Sequence, residues 1–163
     1  MRRAEGEDRT VQRVLDEAHN RLPRPMSTPE SIAAGNAAMS EARARAAGTL
    51  ARRIKNKELL SADELGSALG ITQAEIADAV VNNRLFAFEG PGGVPYYPAF
   101  NVDADVHRSA LELVAQELGD LPAPSKYHFF VSKRTNLGET PLEALRCGRV
   151  AEVLQAACGF AIA

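Results

Sequence analysis

The pattern of apolar and polar residues in the stretch SADELGSALGITQAEIADAV predicts two short helices joined by a turn. The apolar positions at helical spacing are Leu65, Ala68, Leu69, Ile76, Ala79 and Val80. Ser61 lies three residues before Glu64, and Thr72 lies three before Glu75, which is the spacing of two capping boxes. The stretch therefore predicts a helix-turn-helix. A helical hairpin without a role in DNA binding is the simpler alternative.

Two glycines shape the predicted joint between these helices. Gly70 follows the first helix and suits the left-handed C-cap position that would end it. Gly66 lies four residues earlier, where we expect the two helices to cross closely, because a larger side chain would push them apart.

Residues 85–97 predict a β-hairpin directly after the second helix. Phe86 and Phe88 lie two residues apart, the period of a strand with one buried face. A Gly-Pro-Gly-Gly turn follows, and Tyr96 and Tyr97 suit the returning strand. A hairpin in this position is the layout of a winged helix-turn-helix. The aromatic residues can also simply close the core over the helices, and both interpretations can hold together.

Prolines and shifts in composition divide the rest of the chain. Pro23 and Pro25 end a loosely held first stretch, and Thr28-Pro29-Glu30 is a typical helix start. The predicted segments are a flexible N-terminal segment (1–26), a long basic helix (27–57), a winged helix-turn-helix (58–100) and a C-terminal helical domain (101–163). The predicted fold is therefore mainly α, with a small β-hairpin wing.

The long helix has a thin apolar face, formed by Ile32, Met39, Ala46, Leu50 and Ile54. Such a helix is rarely stable alone in water, because most helical stability in proteins comes from packing. We expect it to pack against a second copy or against the rest of the chain. DNA-binding regulators also need two subunits to contact two half-sites. A homodimer is therefore the predicted assembly.

Charge is distributed unevenly along the chain, although the net charge is only −2. Residues 1–57 carry a balance of +5, residues 58–124 of −9 and residues 125–163 of +2. The acidic middle counts against DNA binding by the helix-turn-helix alone, because neutralising phosphates supplies much of the affinity. The basic end of the long helix can supply phosphate contacts. It can equally be a solvated face that complements the helix dipole.

The candidate DNA-binding residues lie in two groups. They are Arg52, Arg53, Lys55 and Lys57 at the end of the long helix, and Thr72, Gln73, Asn82, Asn83 and Arg84 in the helix-turn-helix. The first group is expected to meet phosphates. Gln and Asn side chains can bind adenine through two hydrogen bonds, and Arg can bind guanine in the same way. Asn and Arg are also ordinary residues at helix ends, which is the alternative interpretation.

Other classes of function find little support in the sequence. The three histidines are scattered, the two cysteines are isolated, and no phosphate-binding loop with a following Lys-Ser/Thr occurs. We therefore expect no enzyme activity, no cofactor and no metal site. No apolar run approaches the roughly 20 residues of a membrane span, and the charged first residues lead into no signal segment. A cytoplasmic protein with reduced thiols and no membrane partner is the expectation.

The C-terminal sequence FFVSKRTNLGETPLEALRCGRVAEVLQAA has an ordered set of short motifs. They are Phe129-Phe130, Leu137-Gly138, Thr140-Pro141-Leu142, Leu145-Arg146-Cys147-Gly148 and Val153-Leu154. Over roughly the last forty residues the chain resembles the C-terminal domain of bacterial antitoxins of the Xre/MbcA/ParS family. The resemblance implies a helix-turn-helix that binds the promoter of its own operon, and a C-terminal domain that binds a toxin protein.

The wing-like hairpin and the long N-terminal helix are additions to that family's pattern. The predicted function is a sequence-specific regulator that binds double-stranded DNA, of antitoxin type if a toxin partner exists. A regulator that uses the C-terminal domain only to form dimers fits as well. The alternative, from a different class of function, is a protein-interaction adaptor or oligomerising structural protein whose helix-turn-helix does not read DNA. The acidic charge of residues 58–124 is compatible with this alternative.

Overall fold

A computed structural model describes residues 28–163, so the predicted flexible segment 1–26 lies outside the described residues. The elements are α1 (Pro29–Lys55), β1 (Leu59–Ser61), α2 (Ala62–Leu69), α3 (Gln73–Val81), β2 (Phe88–Glu89), β3 (Pro95–Pro98), α4 (Arg108–Glu117), α5 (Ala123–Val131), α6 (Pro141–Arg146) and α7 (Val150–Ala161). Short 3-10 helices span Pro91–Gly93 and Ala99–Val102. The predicted mainly α fold with a small β-hairpin is confirmed.

The chain divides into two units, residues 1–46 and residues 47–163. The described part of the first unit is the N-terminal part of α1. The backbone N–H of Ser31 donates to Oγ1 of Thr28 over 3.2 Å, which places Thr28 as the cap of the helix. Every residue from 28 to 46 is exposed.

The second unit contains a three-stranded antiparallel sheet in the order β1-β3-β2. Leu59 of β1 pairs with Pro98, and Phe88 of β2 pairs with Tyr96. The β2–β3 hairpin confirms the predicted one. The sequence did not predict β1, because three residues are too few to show the alternation of a strand. Together, the element order and the strand order are those of a winged helix-turn-helix.

Both predicted capping boxes are present in the helix-turn-helix. The N–H of Glu64 donates to Oγ of Ser61 over 3.2 Å, and Glu64 accepts from the N–H of Ser61 over 2.9 Å. Thr72 and Glu75 form the same reciprocal pair, with distances of 3.2 and 2.7 Å. Gly70 adopts φ +67°, the predicted left-handed C-cap. The two helices are thus fixed by local hydrogen bonds that the sequence specifies.

The close approach predicted at Gly66 is also present. A Cβ atom there would lie 2.9 Å from the carbonyl oxygen of Ile71 and 3.6 Å from Cδ1 of Ile76. The backbone of the turn therefore passes too near for an ordinary side chain. Gly48, inside α1, has no atom within 4 Å of the equivalent position.

Gly66→Ala is expected to lower the free energy of unfolding by about 1–2 kcal/mol, because the overpacking cost exceeds the gain in helix propensity. Gly48→Ala is the matched control and should raise it by up to about 1 kcal/mol, because only the propensity changes there. Urea denaturation followed by circular dichroism measures both values. Equal stabilisation by the two substitutions would show that the helices do not crowd Gly66.

Two hydrophobic clusters stabilise the second unit. The smaller lies beneath the helix-turn-helix and contains Leu65, Ile76, Ala79, Leu85 and Tyr97. The larger joins Leu59, Phe86 and Phe88 of the strand region to side chains of α4, α5, α6 and α7. The aromatic residues of the hairpin therefore do close a core. The predicted division at residue 100 falls within this larger cluster.

Aromatic rings connect the hairpin to the C-terminal helices. The ring of Phe130 lies 6.2 Å from that of Phe86 and 4.8 Å from that of Phe100, centroid to centroid. Tyr127 meets Phe88 edge to face at 5.7 Å. Phe129 and Phe130 are both fully buried. The wing is thus attached to α5 by direct ring contacts.

The C-terminal motifs occupy distinct positions in the helical region. Phe129-Phe130 lies in α5, and Thr140 caps α6 through a third capping box with Glu143. Gly138 and Gly148 both adopt φ +76° and flank α6. The motifs are therefore, in order, a buried aromatic pair, a turn, a capped helix start and a helix break.

Candidate nucleic-acid interface

Helix α3 is the second helix of the helix-turn-helix, and its outward face would meet DNA in a winged helix-turn-helix protein. Its exposed residues are Gln73, Ala74, Glu75, Ala77, Asp78 and Val81. This face has two carboxylates and no cation. Val81 is 81% exposed, which leaves an apolar side chain in solvent. Residues 58–100 as a whole contain one arginine against six carboxylates.

The predicted base-contacting residues at the end of α3 already form hydrogen bonds or ion pairs with other residues of the protein. Nδ2 of Asn82 donates to the carbonyl oxygen of Asp78 over 2.9 Å. Nδ2 of Asn83 donates to Oδ1 of Asp120 over 3.3 Å. The guanidinium of Arg84 pairs with Asp78. Base contacts from these three residues would require these interactions to break.

Helix α4 and the loop after it hold this end of α3 in place. Nε2 of Gln116 donates to the carbonyl oxygen of Asn82 over 3.3 Å. Arg84 lies 3.8 Å from Oε2 of Glu112. Asn83 adopts φ +56°, a conformation that Asn tolerates better than most residues. The end of α3 is therefore a packed junction with the C-terminal helices.

The predicted residues at the start of α3 also have local partners. Oγ1 of Thr72 accepts the backbone N–H of Glu75. The backbone N–H and the hydroxyl of Thr72 both donate to the Glu75 carboxylate, and these two hydrogen bonds lower the pKa of that carboxyl. Nε2 of Gln73 donates to Oδ1 of Asp63 in α2 over 2.7 Å. Gln73 is exposed, so this single bond can exchange for another acceptor.

The four predicted phosphate contacts differ in availability. The guanidinium of Arg53 lies 4.3 Å from the ring centroid of Tyr127, a cation–π contact in a half-buried position. Lys57 pairs with Glu64, and this hydrogen bond together with the Ser61 N–H lowers the pKa of the Glu64 carboxyl. Arg52 and Lys55 are exposed, and neither side chain has a hydrogen bond or ion pair within residues 28–163. Only these two are free to meet a phosphate.

A cleft of about 410 Å³ runs along the outward side of α3. It is lined by Ile71, Ala74, Glu75, Asp78, Arg84 and Arg108. Nε of Arg108 donates to Oε1 of Glu112 over 2.7 Å, so both arginines of the cleft are already paired with carboxylates. The cleft therefore offers no unpaired positive charge to an anion.

Lys126 is a buried charged residue that the sequence reasoning did not single out. It is 3% exposed, and Nζ lies 5.8 Å from the ring centroid of Phe86. Burial lowers the pKa of its ammonium, and the carboxylate of Asp120 opposes that shift. The signal was present, because Lys126 lies three and four residues before Phe129 and Phe130 and therefore shares their helix face.

No helix among residues 28–163 combines the length and apolar character that crossing a membrane requires. Within the same part of the chain, no group of three or more His, Cys, Asp or Glu side chains is arranged to hold a metal ion.

Comparisons with known protein families, with curated proteins and with solved structures found no match for this chain.

Proposed function

We propose that this protein is a DNA-binding transcriptional regulator of antitoxin type that acts as a homodimer. The observation that carries the proposal is the winged helix-turn-helix. It consists of two helices that each begin with a capping box, followed by a β-hairpin whose strands belong to a sheet of order β1-β3-β2. The resemblance of the C-terminal motifs to Xre/MbcA/ParS antitoxins adds a partner-binding role for α5, α6 and α7, with a toxin protein as the partner.

In this proposal, different residues contact the DNA phosphates and the DNA bases. Arg52 and Lys55 would meet phosphates, because they are the exposed and unpaired members of the candidate set. Base reading would fall to the first turn of α3, where Gln73 needs to give up only one hydrogen bond. Asn82, Asn83 and Arg84 would position α3 against α4 instead.

A second candidate is a protein-interaction adaptor whose helix-turn-helix does not read DNA. The outward face of α3 favours it, because Glu75 and Asp78 would repel phosphates and Val81 is left exposed. Such a face suits a protein partner better than a phosphate backbone. The two candidates differ in their response to salt.

The deciding experiment is a fluorescence anisotropy titration against the promoter duplex of the protein's own operon and a scrambled duplex, at several salt concentrations. The variant with both Arg52→Ala and Lys55→Ala should bind both duplexes more weakly. The slope of log affinity against log salt, which is negative, should also become shallower by about two, near 0.9 for each lost phosphate contact. Lys133→Ala, which removes an exposed cation from the C-terminal region, is the control and should leave the slope unchanged.

One result would contradict the DNA proposal, and another would contradict only its assignment of the phosphate contacts. One is an intact protein that shows no salt-dependent binding to any duplex, and this result favours the adaptor. The other is an unchanged slope in the double variant, which would reject Arg52 and Lys55 as phosphate contacts. Arg53→Ala is unsuitable for this purpose, because its contact with Tyr127 would mix stability with affinity. Co-purification with the product of the neighbouring reading frame tests the toxin partner separately.

A further inference from the structure

Gln73 and Asp63 form a hydrogen bond that joins the first turns of the two helices of the helix-turn-helix. Nε2 of Gln73 donates to Oδ1 of Asp63 over 2.7 Å, and both residues are exposed. Each lies in the first turn of a helix that begins with a capping box, at Ser61 for α2 and at Thr72 for α3. The bond therefore lies on the surface of the motif, with a fixed backbone on both sides.

This bond determines which way the Gln73 carboxamide points. An ionised carboxylate only accepts hydrogen bonds, whereas a carboxamide has an acceptor at Oε1 and two donors at Nε2. Asp63 therefore selects the orientation in which Nε2 faces it. One N–H of Nε2 is used, and the other N–H and Oε1 have no partner within residues 28–163. Gln73 can give up the bond to reach a base, but it does not need to.

A fixed donor beside a fixed acceptor matches one base of the major groove. Adenine presents the N7 acceptor next to the N6 amino donor, so it can bind both free groups of the amide. Guanine presents two acceptors, N7 and O6, and one of them would face Oε1 without a hydrogen between them. Cytosine presents a single donor and thymine a single acceptor. A carboxamide that turned freely would discriminate less, because it could offer its N–H groups to guanine.

We infer that Gln73 reads an adenine in the operator, and that Asp63 is the positioning residue that restricts Gln73 to this base. The inference rests on the DNA-binding function proposed above and adds the base and the residue that selects it. The negative charge of Asp63 opposes binding to phosphates. Asp63 therefore lowers the affinity for every duplex while it narrows the choice of base.

Selection from a library of random duplexes of about 20 base pairs, or two helical turns, measures the base preference at every position when the bound duplexes are sequenced. The intact protein should prefer adenine over guanine at the Gln73 position by about 5- to 150-fold, the factor for one bidentate contact. Gln73→Ala should abolish this preference and leave the other positions unchanged. Gln155→Ala, which removes an exposed glutamine of α7, is the matched control and should leave the whole profile unchanged.

Asp63→Asn tests the positioning role. An asparagine side chain can accept from Nε2 or donate to Oε1, so it permits both orientations of the Gln73 carboxamide. The adenine-to-guanine ratio should lose most of its value, while the affinity for all duplexes rises. Because every duplex carries the same phosphates, the lost charge of Asp63 cancels in this ratio. Circular dichroism checks that the variant is folded.

Combining Asp63→Asn with Gln73→Glu should change the base. The introduced carboxylate has only acceptors, and in the major groove carboxylates accept from N4 of cytosine. The introduced asparagine can donate to that carboxylate, which removes the repulsion that Asp63 would cause. The double variant should therefore prefer cytosine where the intact protein prefers adenine.

The contrary outcomes separate this inference from the proposed function. Salt-dependent binding without an adenine preference that Gln73→Ala removes would overturn the inference and leave the DNA-binding regulator standing. An adenine-to-guanine ratio that Asp63→Asn does not change would also overturn it, because Gln73 would then select the base without Asp63. No binding to any duplex at low salt would overturn both the inference and the proposed function.

Discussion

Phe130→Ala is expected to lower the free energy of unfolding by about 3–5 kcal/mol, the range for truncating a fully buried aromatic residue. Phe130 is 0% exposed and contacts the rings of Phe86, Phe100 and Phe129. Its removal would leave a cavity between the hairpin and α5. The loss is a large part of the 5–15 kcal/mol that holds a typical domain together.

The substitution should destabilise the hairpin and the C-terminal helices together, because both line the same cluster. Urea denaturation gives the change in free energy. Amide hydrogen exchange gives its distribution, with the N–H groups of Tyr97 in β3 and Leu145 in α6 as reporters. Val131→Ala is the control, since Val131 is 40% exposed and its truncation should cost less than about 1 kcal/mol.

A separation of the two reporters would contradict this expectation. If the Tyr97 N–H kept its protection from exchange while the Leu145 N–H lost it, residues 58–100 and 101–163 would be independent domains. The sequence predicted that division. If both lose protection in one transition, residues 47–163 are a single cooperative unit.

Elements that depend on local sequence could be predicted. The boxes at Ser61 and Thr72 and the C-cap at Gly70 use partners within four residues, so their residue types and spacing were sufficient. The hairpin was also local. Strand β1 could not be found, because its pairing with β3 joins residues far apart in the chain. The contact of Phe86 with Phe130 was hidden for the same reason.

The candidate interface was less predictable, because residue type does not reveal what a side chain touches. Asn83 and Arg84 are suited to base contacts by chemistry, yet their partners Asp120 and Glu112 come from a later part of the chain. Arg53 was chosen for its charge, but its stacking on Tyr127 depends on the folded core. Of the four predicted phosphate contacts, only Arg52 and Lys55 are exposed and unpaired within residues 28–163, so only they remain available to meet a phosphate.

Lys126→Met is expected to raise the free energy of unfolding by about 1–3 kcal/mol near neutral pH, the cost of burying a polar group that has no hydrogen-bond partner. Lys126 is 3% exposed, and its side chain has neither a hydrogen bond nor an ion pair within residues 28–163. Met has a similar length and can fill the same space beside Phe86. Asp120 offers the ammonium only a partial compensation.

The gain from Lys126→Met should depend on pH in a definite direction. Burial lowers the pKa of Lys126 in the folded protein, whereas in the unfolded chain it stays near the ordinary value of about 10.4. Between these two values the unfolded chain binds more protons, so the parent protein becomes more stable as pH rises through that window. Below the folded pKa the full cost of burying the charge is present. The advantage of the Met variant should therefore be largest near neutral pH and shrink toward pH 10.

Urea denaturation of the parent protein and Lys126→Met at several pH values between neutral and 10 measures this difference. Comparing the two chains at each pH cancels the titration of other groups, such as Tyr97 and Tyr127, whose pKa values burial raises. Lys133→Met is the control, because Lys133 is exposed and its replacement should change stability by less than about 0.5 kcal/mol at any pH. A gain that stays constant with pH would mean that packing alone, and not the buried charge, separates the two chains. A Met variant less stable than the parent would mean that the ammonium makes a favourable interaction with its surroundings in the folded state.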